Sequence, residues 1–248
     1  RQGFAVDMVE LLNLDDVQDE LSHEQNDTLQ AFNQQLQPSN RDLKAYLAMV
    51  DRVCGIPGLS AQAKGYALAS RAGLELLNNN VKQALRDIED ALGYIPDDAA
   101  TIAERGVLYF GNGQYQKATA DFNRAIALDK KNPWFIMLRG MSYRLMGRYQ
   151  ESLADFERVI ALDEKDTLVL TARGITYLLL GRNEEALADF DRAITLDEKN
   201  VVTIAMRSIL YILEGRYKEA LEDFKRAIAL NEKNAFGVIK QNLAEIQA

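Results

Sequence analysis

The sequence predicts an all-α protein, an α-solenoid of stacked antiparallel helical hairpins. A 34-residue period runs from residue 65 to residue 234, and each unit carries two apolar stripes at helical spacing. A glycine separates the two stripes in most units, and a good helix N-cap closes each one. We call the units repeats 1 to 5 and a position within a repeat a column; the repeats are 65–98, 99–132, 133–166, 167–200 and 201–234.

The columns predict how each hairpin packs. Column 8 is always small, column 20 is Ala or Ser, and columns 11 and 24 are mostly aromatic. Columns 4, 8 and 11 share one face of a first helix, and columns 20, 24 and 27 share one face of a second helix. Small residues therefore let the helices approach, and large ones fill the space beside them. The column 8 residues are Ala72, Gly106, Gly140, Gly174 and Ser208, and the column 24 residues are Ile88, Phe122, Phe156, Phe190 and Phe224.

Glycines and capping residues predict where the helices end. A helix C-terminus favours a residue that tolerates positive φ, and Asp or Asn is a good N-cap. The glycines between the helices are Gly113, Gly147, Gly181 and Gly215, and the N-caps are Asp98, Asn132, Asp166, Asn200 and Asn234.

Together these columns resemble the tetratricopeptide repeat (TPR) family, in a bacterial type. Its signature columns 4, 7, 8, 11, 20, 24, 27 and 32 are matched in most positions of residues 99–234, while repeat 1 is more divergent. The resemblance implies a right-handed superhelix that binds protein or peptide partners. Two departures stand out, because column 7 is Arg, and the late proline of column 32, kept as Pro96 in repeat 1, is Lys or Glu in the later repeats.

The arginine of column 7 has a candidate partner 16 residues further on. Every repeat has Arg in column 7 and Asp in column 23, so we expect five Arg–Asp ion pairs across the hairpins, with a structural role rather than a ligand-facing one. The pairs are Arg71–Asp87, Arg105–Asp121, Arg139–Asp155, Arg173–Asp189 and Arg207–Asp223.

Residues on either side of the repeats do not follow the period. Residues 1–64 read as an acidic, amphipathic helical extension, with one helix capped within 39–42 and ending near Gly55. Residues 61–78 read as the first helix of the array. Residues 235–248 read as a capping helix, because polar residues stand where a following helix would pack.

Composition narrows the function classes. The net charge is −8, and residues 1–36 hold eight acids against Arg1 alone, so nucleic acid and anionic membranes are not expected partners. No apolar run is long enough to span a membrane and no signal peptide is visible, which predicts a cytoplasmic protein. A periplasmic or membrane-associated location is the alternative if a targeting segment was removed before Arg1.

The sequence contains few candidate residues for catalysis or metal binding. Cys54 is the only cysteine and His23 the only histidine, which excludes an internal disulfide and a Cys/His zinc site. A nucleophile–base pair of these two residues stays open, although a helix-buried cysteine and a surface histidine are favoured. We therefore expect no enzyme activity, no cofactor and no metal.

By the family resemblance, columns 2, 5, 9 and 12 of the first helices line a concave groove, and here they are mostly apolar. A clamp for a partner's C-terminal carboxylate needs several basic residues, and Arg144 is the only one, so that role is not expected. The candidate groove residues are Val107, Phe110, Trp134, Met137, Met141, Arg144, Leu168, Ile175, Leu178, Ile209 and Ile212.

The sequence leaves open which of three occupants covers this apolar groove. Residues 1–36 would dock within the chain, a partner would contact Trp134, Met137 and Met141 as hot-spot residues, or two copies would self-associate. Alternatively, packing between repeats buries these side chains. The favoured function is a non-catalytic interaction scaffold, and the alternative is a regulatory or targeting arm of a larger enzyme or secretion-type assembly.

Overall fold

The computed structural model describes residues 43–56 and 58–231, which form helices joined by short turns. The predicted helical segments before residue 43 and after residue 231, including residues 1–36 and the capping helix 235–248, lie outside the described residues. The helices are α1 (Leu43–Cys54), α2 (Ala61–Leu77), α3 (Val81–Tyr94), α4 (Ala99–Gly111), α5 (Tyr115–Leu128), α6 (Pro133–Leu145), α7 (Tyr149–Leu162), α8 (Thr167–Leu179), α9 (Asn183–Leu196) and α10 (Val201–Leu213), followed by α11 over residues 217–231.

The chain divides into two compact units, residues 1–130 and residues 131–248, called here the N-terminal and the C-terminal unit. In the N-terminal unit α1 packs on α2, α2 pairs with α3, α3 contacts α4, and α4 pairs with α5. In the C-terminal unit α6 pairs with α7 and α8 with α9, and each pair contacts the next helix along the chain. The fold is therefore the predicted stack of helical hairpins within each unit.

The predicted turns are present, and so are four of the five predicted caps; the fifth, Asn234, lies outside the described residues. Gly113, Gly147, Gly181 and Gly215 have φ between 70° and 74°, and in repeat 1 the same column holds Asn79 with φ 59°. The side chains of Asp98, Asn132, Asp166 and Asn200 each accept a hydrogen bond from a backbone N–H in the first turn of α4, α6, α8 or α10. These contacts satisfy donors that the helix itself leaves unpaired.

Close approach of the two helices explains the small residue of column 8. A Cβ built on Gly106 would lie 2.7 Å from the ring of Phe122, and one on Gly174 would lie 2.6 Å from the ring of Phe190. Both phenylalanine rings are fully buried. The aromatic residue of column 24 therefore occupies the space that a side chain in column 8 would need.

Helix α1 caps the first repeat. Leu47, Val50, Val53 and Cys54 pack against the buried Ala67 and Leu74 of α2. Asp51 accepts a hydrogen bond from Nη1 of Arg71 at 2.7 Å, as Asp191 of α9 does from Arg207 at 2.6 Å. Helix α1 thus provides the acidic contact that the second helix of a preceding repeat would supply.

Candidate functional site

The predicted groove residues fall into three groups by exposure. Trp134, Leu168 and Ile212 are exposed, with 44%, 51% and 51% of their surface accessible. Val107, Phe110 and Met141 are half-buried. The remaining five are buried: Met137, Arg144, Ile175, Leu178 and Ile209.

Packing between repeats accounts for three of the five buried members. Ile175 and Leu178 of α8 and Ile209 of α10 belong to one buried cluster with Met206 and Leu210. Columns 9 and 12 therefore face the neighbouring hairpin in repeat 4, as the packing alternative describes. These side chains stabilise the stack, and the exposed members are the ones that a partner can reach.

Two exposed members occupy the same column in successive repeats. Trp134 and Leu168 stand in column 2, in the first turns of α6 and α8. Their backbone N–H groups donate to the caps Asn132 and Asp166, at 3.1 and 2.9 Å, which fixes where each side chain leaves its helix. Met141 lies two turns after Trp134 on the same side of α6. We call Trp134, Met141 and Leu168 the apolar face of the C-terminal unit.

The column 7 arginines lie away from this face, on the side of the second helices. In all five repeats Nε and Nη2 of the arginine donate to the two carboxylate oxygens of the column 23 aspartate, at 2.5 to 2.8 Å. The aspartate side chains are 0% to 9% exposed and the arginines 17% to 22%. This parallel geometry is the strongest form of the Arg–carboxylate contact. In every repeat the hydrogen-bonded carboxylate raises the pKa of the arginine.

A second arginine, in column 16, stacks on the column 11 tyrosine, forming a layered contact that the sequence analysis did not predict. In repeats 3 to 5 the column 11 tyrosine lies between the column 7 arginine and an arginine of column 16, whose guanidinium carbon is 4.2 to 4.5 Å from the ring centroid. These column 16 residues are Arg148, Arg182 and Arg216, and each also bonds a glutamate three residues later. The arginine contacts hold the pKa of Glu151 and of Glu185 below the usual range. Comparing columns 16 and 19 across repeats would have revealed this pattern.

Another arginine bonds the loop that joins one repeat to the next. Nη2 of Arg192 donates to the carbonyl of Glu164 at 2.7 Å, and Nη2 of Arg226 donates to the carbonyl of Glu198 at 2.6 Å. Both acceptors stand in column 32, where the family has proline. The same contact is made in repeat 1, which keeps the proline, because Nη2 of Arg124 donates to the carbonyl of Pro96. A side chain from the following repeat therefore holds this loop whether or not column 32 is proline.

The described residues show little that suggests catalysis. They contain no group of three or more metal-ligating side chains, and none of their helices is long and apolar enough to cross a membrane. Burial raises the pKa of the Cys54 thiol, which disfavours the reactive thiolate. His23, the predicted alternative partner of Cys54, lies outside the described residues.

Sequence comparison decides the family. Two family profiles, both described as tetratricopeptide repeat, match residues 137–201 in one case and residues 99–132 and 204–234 in the other. The chain belongs to the tetratricopeptide repeat family. The comparison with curated proteins gave no match.

Solved structures show the same fold. A TPR protein from Parabacteroides merdae is 22% identical with a TM-score of 0.63, covering 81% of this chain and 78% of its own. MamA from Desulfovibrio magneticus is 18% identical with a TM-score of 0.58, covering 78% and 97%. YrrB, described as a TPR protein with an unusual peptide-binding site, is 19% identical with a TM-score of 0.56, covering 80% and 99%. At these identities the similarity concerns the fold alone.

Family membership gives the coarse function. TPR arrays are built from hairpins that each bury one face against their neighbours and leave another face free for a partner. The chain is therefore a protein–protein interaction scaffold, of a fold that is typically non-catalytic.

Proposed function

We propose that this TPR protein is a non-catalytic scaffold that binds an apolar peptide or amphipathic helix on the apolar face of its C-terminal unit. The exposure of Trp134 and Leu168 in the same column of successive repeats carries the proposal. Such side chains gain most from being covered by a partner, since tryptophan is enriched at binding hot spots and methionine adapts to varied surfaces. The peptide-binding site named for YrrB supports a peptide as the ligand.

Within this proposal the chain's own residues 1–36 compete with an external partner for the apolar face. They are acidic and amphipathic, and they are joined to the array through α1, so docking within one chain would have a high effective concentration. An external partner would then have to displace them. We propose a cytoplasmic location for this scaffold.

Emission from Trp134, the only tryptophan, tests these statements directly. It is recorded for the full chain and for a version lacking residues 1–38, over a range of protein concentrations. Emission that is red in both proteins means an open face, and blue emission that shifts to red on truncation means that the N-terminal segment covers it. Blue emission that depends on concentration indicates self-association. Blue emission in both proteins at every concentration contradicts the proposal, because internal packing would then bury Trp134.

Selection from a random peptide library tests the ligand. Peptides selected on the full chain are expected to lose binding when Trp134→Ala or Leu168→Ala is introduced. Leu196→Ala is the matched control, because Leu196 is also exposed, at 42%, but lies at the end of α9 and outside the apolar face. Equal losses for all three variants would contradict the assignment of the site.

A further inference from the structure

Hairpins of the C-terminal unit stack through columns 13 and 21. In repeat 4, Leu179 of column 13 and Leu187 of column 21 pack against a buried cluster. That cluster contains Met206 and Leu210, which stand in columns 6 and 10 of α10. Leu153, the column 21 residue of repeat 3, is buried in the same cluster. Each hairpin therefore has an apolar stacking side, and the first helix of the next repeat covers it.

The stacking side of repeat 5 is exposed. Leu213 and Leu221 occupy columns 13 and 21 there, and 52% of the surface of each is accessible. Tyr217 lies one turn before Leu221 on the same side of α11 and is 70% exposed. Phe224 of column 24 is half-buried, whereas the column 24 phenylalanines of repeats 2, 3 and 4 are fully buried. We call Leu213, Tyr217 and Leu221 the end patch.

The sequence that follows α11 does not repeat the residues that cover a stacking side elsewhere. In the repeat register residues 235–248 continue as columns 1 to 14, so Lys240 and Ala244 stand in columns 6 and 10. Repeat 5 has Met206 and Leu210 in those columns. A lysine and an alanine offer less apolar surface than a methionine and a leucine, so this segment is a poor match for the end patch in that register.

The charges beside the end patch cancel. Between residues 212 and 225 three basic and three acidic side chains remain once Asp223, which is paired with Arg207, is set aside. The basic ones are Arg216, Lys218 and Lys225, and the acidic ones are Glu214, Glu219 and Glu222. Although the whole chain carries a net charge of −8, two copies can therefore meet at this patch without like-charge repulsion.

The first repeat has its outer side covered. Ala67 and Leu74 stand in columns 3 and 10 of α2, and both are buried against α1. Column 10 is the column through which Leu210 stacks on repeat 4. Helix α1 thus occupies the place that a second copy would need in a head-to-tail contact, which leaves contact between like ends.

We propose that the end patch is a self-association site, where the C-terminal units of two copies of this chain pair across a two-fold axis. The leucines and the tyrosine of one copy are then covered by the same residues of the other. Contact between like ends closes after two copies, so the product is a dimer and not a filament. The dimer presents two apolar faces, so a partner with two binding segments would gain avidity. The pairing itself does not depend on the proposed ligand.

Sedimentation equilibrium of the full chain measures the pairing. We expect the mass to rise with concentration from one chain to two chains and no further. Combining Leu213→Glu with Leu221→Glu should raise the dissociation constant of the dimer at least about a hundredfold, because the contact would then bury unpaired carboxylates. Leu162→Glu combined with Leu196→Glu is the matched control, since these leucines are 51% and 42% exposed in column 30, and it should leave the dimer unchanged.

Three results would overturn the inference. They are a full chain that stays monomeric up to about 1 mM, a dimer that survives the two end-patch substitutions, and a dimer that the control pair disrupts equally. Disruption by Trp134→Ala without disruption by the end-patch variant would show that the copies pair through the apolar face instead.

Urea unfolding separates a second copy from an occupant within the same chain. Below the dissociation constant, the end-patch variant and the control should both unfold at the urea concentration of the parent chain, because their substituted side chains are exposed. If the full chain is a monomer and only the end-patch variant unfolds earlier, residues of the same chain cover the patch and the inference fails.

Distances between spin labels test the symmetry of the dimer. Cys54, the only cysteine, is changed to serine, and Lys218→Cys or Gln150→Cys carries the label. Both positions are exposed and stand in column 18, in repeats 5 and 3. Labels at residue 218 of the two copies should lie within about 30 Å, since helices are about 10 Å wide, and labels at residue 150 should lie further apart. The opposite order of distances would mean that a different surface pairs.

Discussion

Repeats 1 and 4 build the same hairpin from different residues. Repeat 4 places Gly174 against Phe190, whereas repeat 1 has Ala72 and Ile88 in the same two columns, and all four residues are buried. Both repeats keep the bidentate Arg–Asp pair and a residue with positive φ between their helices. The Arg–Asp ion pair and the turn are thus common to both repeats, whereas columns 8 and 24 hold a Gly–Phe pair in one and an Ala–Ile pair in the other, with complementary volumes.

Breaking the Arg–Asp ion pair of columns 7 and 23 should give the largest loss of stability. Asp189→Ala leaves the guanidinium of Arg173 without its bidentate acceptor in a site that is only 18% exposed, and we expect a loss of about 3 kcal/mol in the free energy of unfolding. Asp87→Ala should cost less, because Arg71 retains Asp51. Urea unfolding followed by circular dichroism measures both. Equal losses would show that the second acid does not matter.

Substituting the residues of columns 8 and 24 in repeat 4 by those of repeat 1 should give the next largest loss of stability. Gly174→Ala would place a Cβ 2.6 Å from the ring of Phe190, and we expect it to cost about 2 kcal/mol. Adding Phe190→Ile reproduces the pair of repeat 1 and should recover part of that loss, measured in the same urea experiment. A double variant less stable than Gly174→Ala would show that the pairs are not exchangeable.

The Arg–Asp ion pairs and the turns between helices could be predicted from the sequence, because each depends on particular residue types at a constant spacing. The exposure of the groove residues could not be predicted in this way. Column 9 holds the buried Ile175 in repeat 4, but in repeat 1 it holds Gly73, which leaves open space. Burial of one first helix depends on what its neighbour presents, and a column pattern within one repeat does not record that. The layered Arg148–Tyr143 contact was missed for a different reason, because column 16 lies outside the family signature.

The pH dependence of stability should differ between the two units because of Glu104. Burial raises its pKa to about 7 in the folded chain, against an ordinary value of 4.5, so the folded state holds the proton more tightly. Stability should therefore fall as the pH rises between these two values and level off above 7. Glu104→Gln should remove this dependence, so the variant should gain stability relative to the parent chain between pH 4 and pH 8.

Urea unfolding at pH 4, 5, 6, 7 and 8 measures this dependence. Glu222→Gln serves as the control, since an exposed glutamate should leave the profile of the parent chain unchanged. A Glu104→Gln profile parallel to the parent profile would mean that Glu104 titrates normally in the folded chain.

The turn residue gives the smallest effect and the sharpest contrast between the two repeats. Gly181 has φ 70°, which an alanine tolerates poorly, so Gly181→Ala should cost about 1 kcal/mol. Asn79 of repeat 1 adopts φ 59°, and asparagine enters this region more readily than other non-glycine residues. Asn79→Gly should therefore change the stability by less than about 0.5 kcal/mol, because glycine relieves the remaining strain but adds freedom to the unfolded chain. Native-state hydrogen exchange of the α2–α3 and α8–α9 amides measures both changes locally, and a larger cost for Asn79→Gly than for Gly181→Ala would show that the Asn79 side chain, rather than its φ angle, holds the turn of repeat 1.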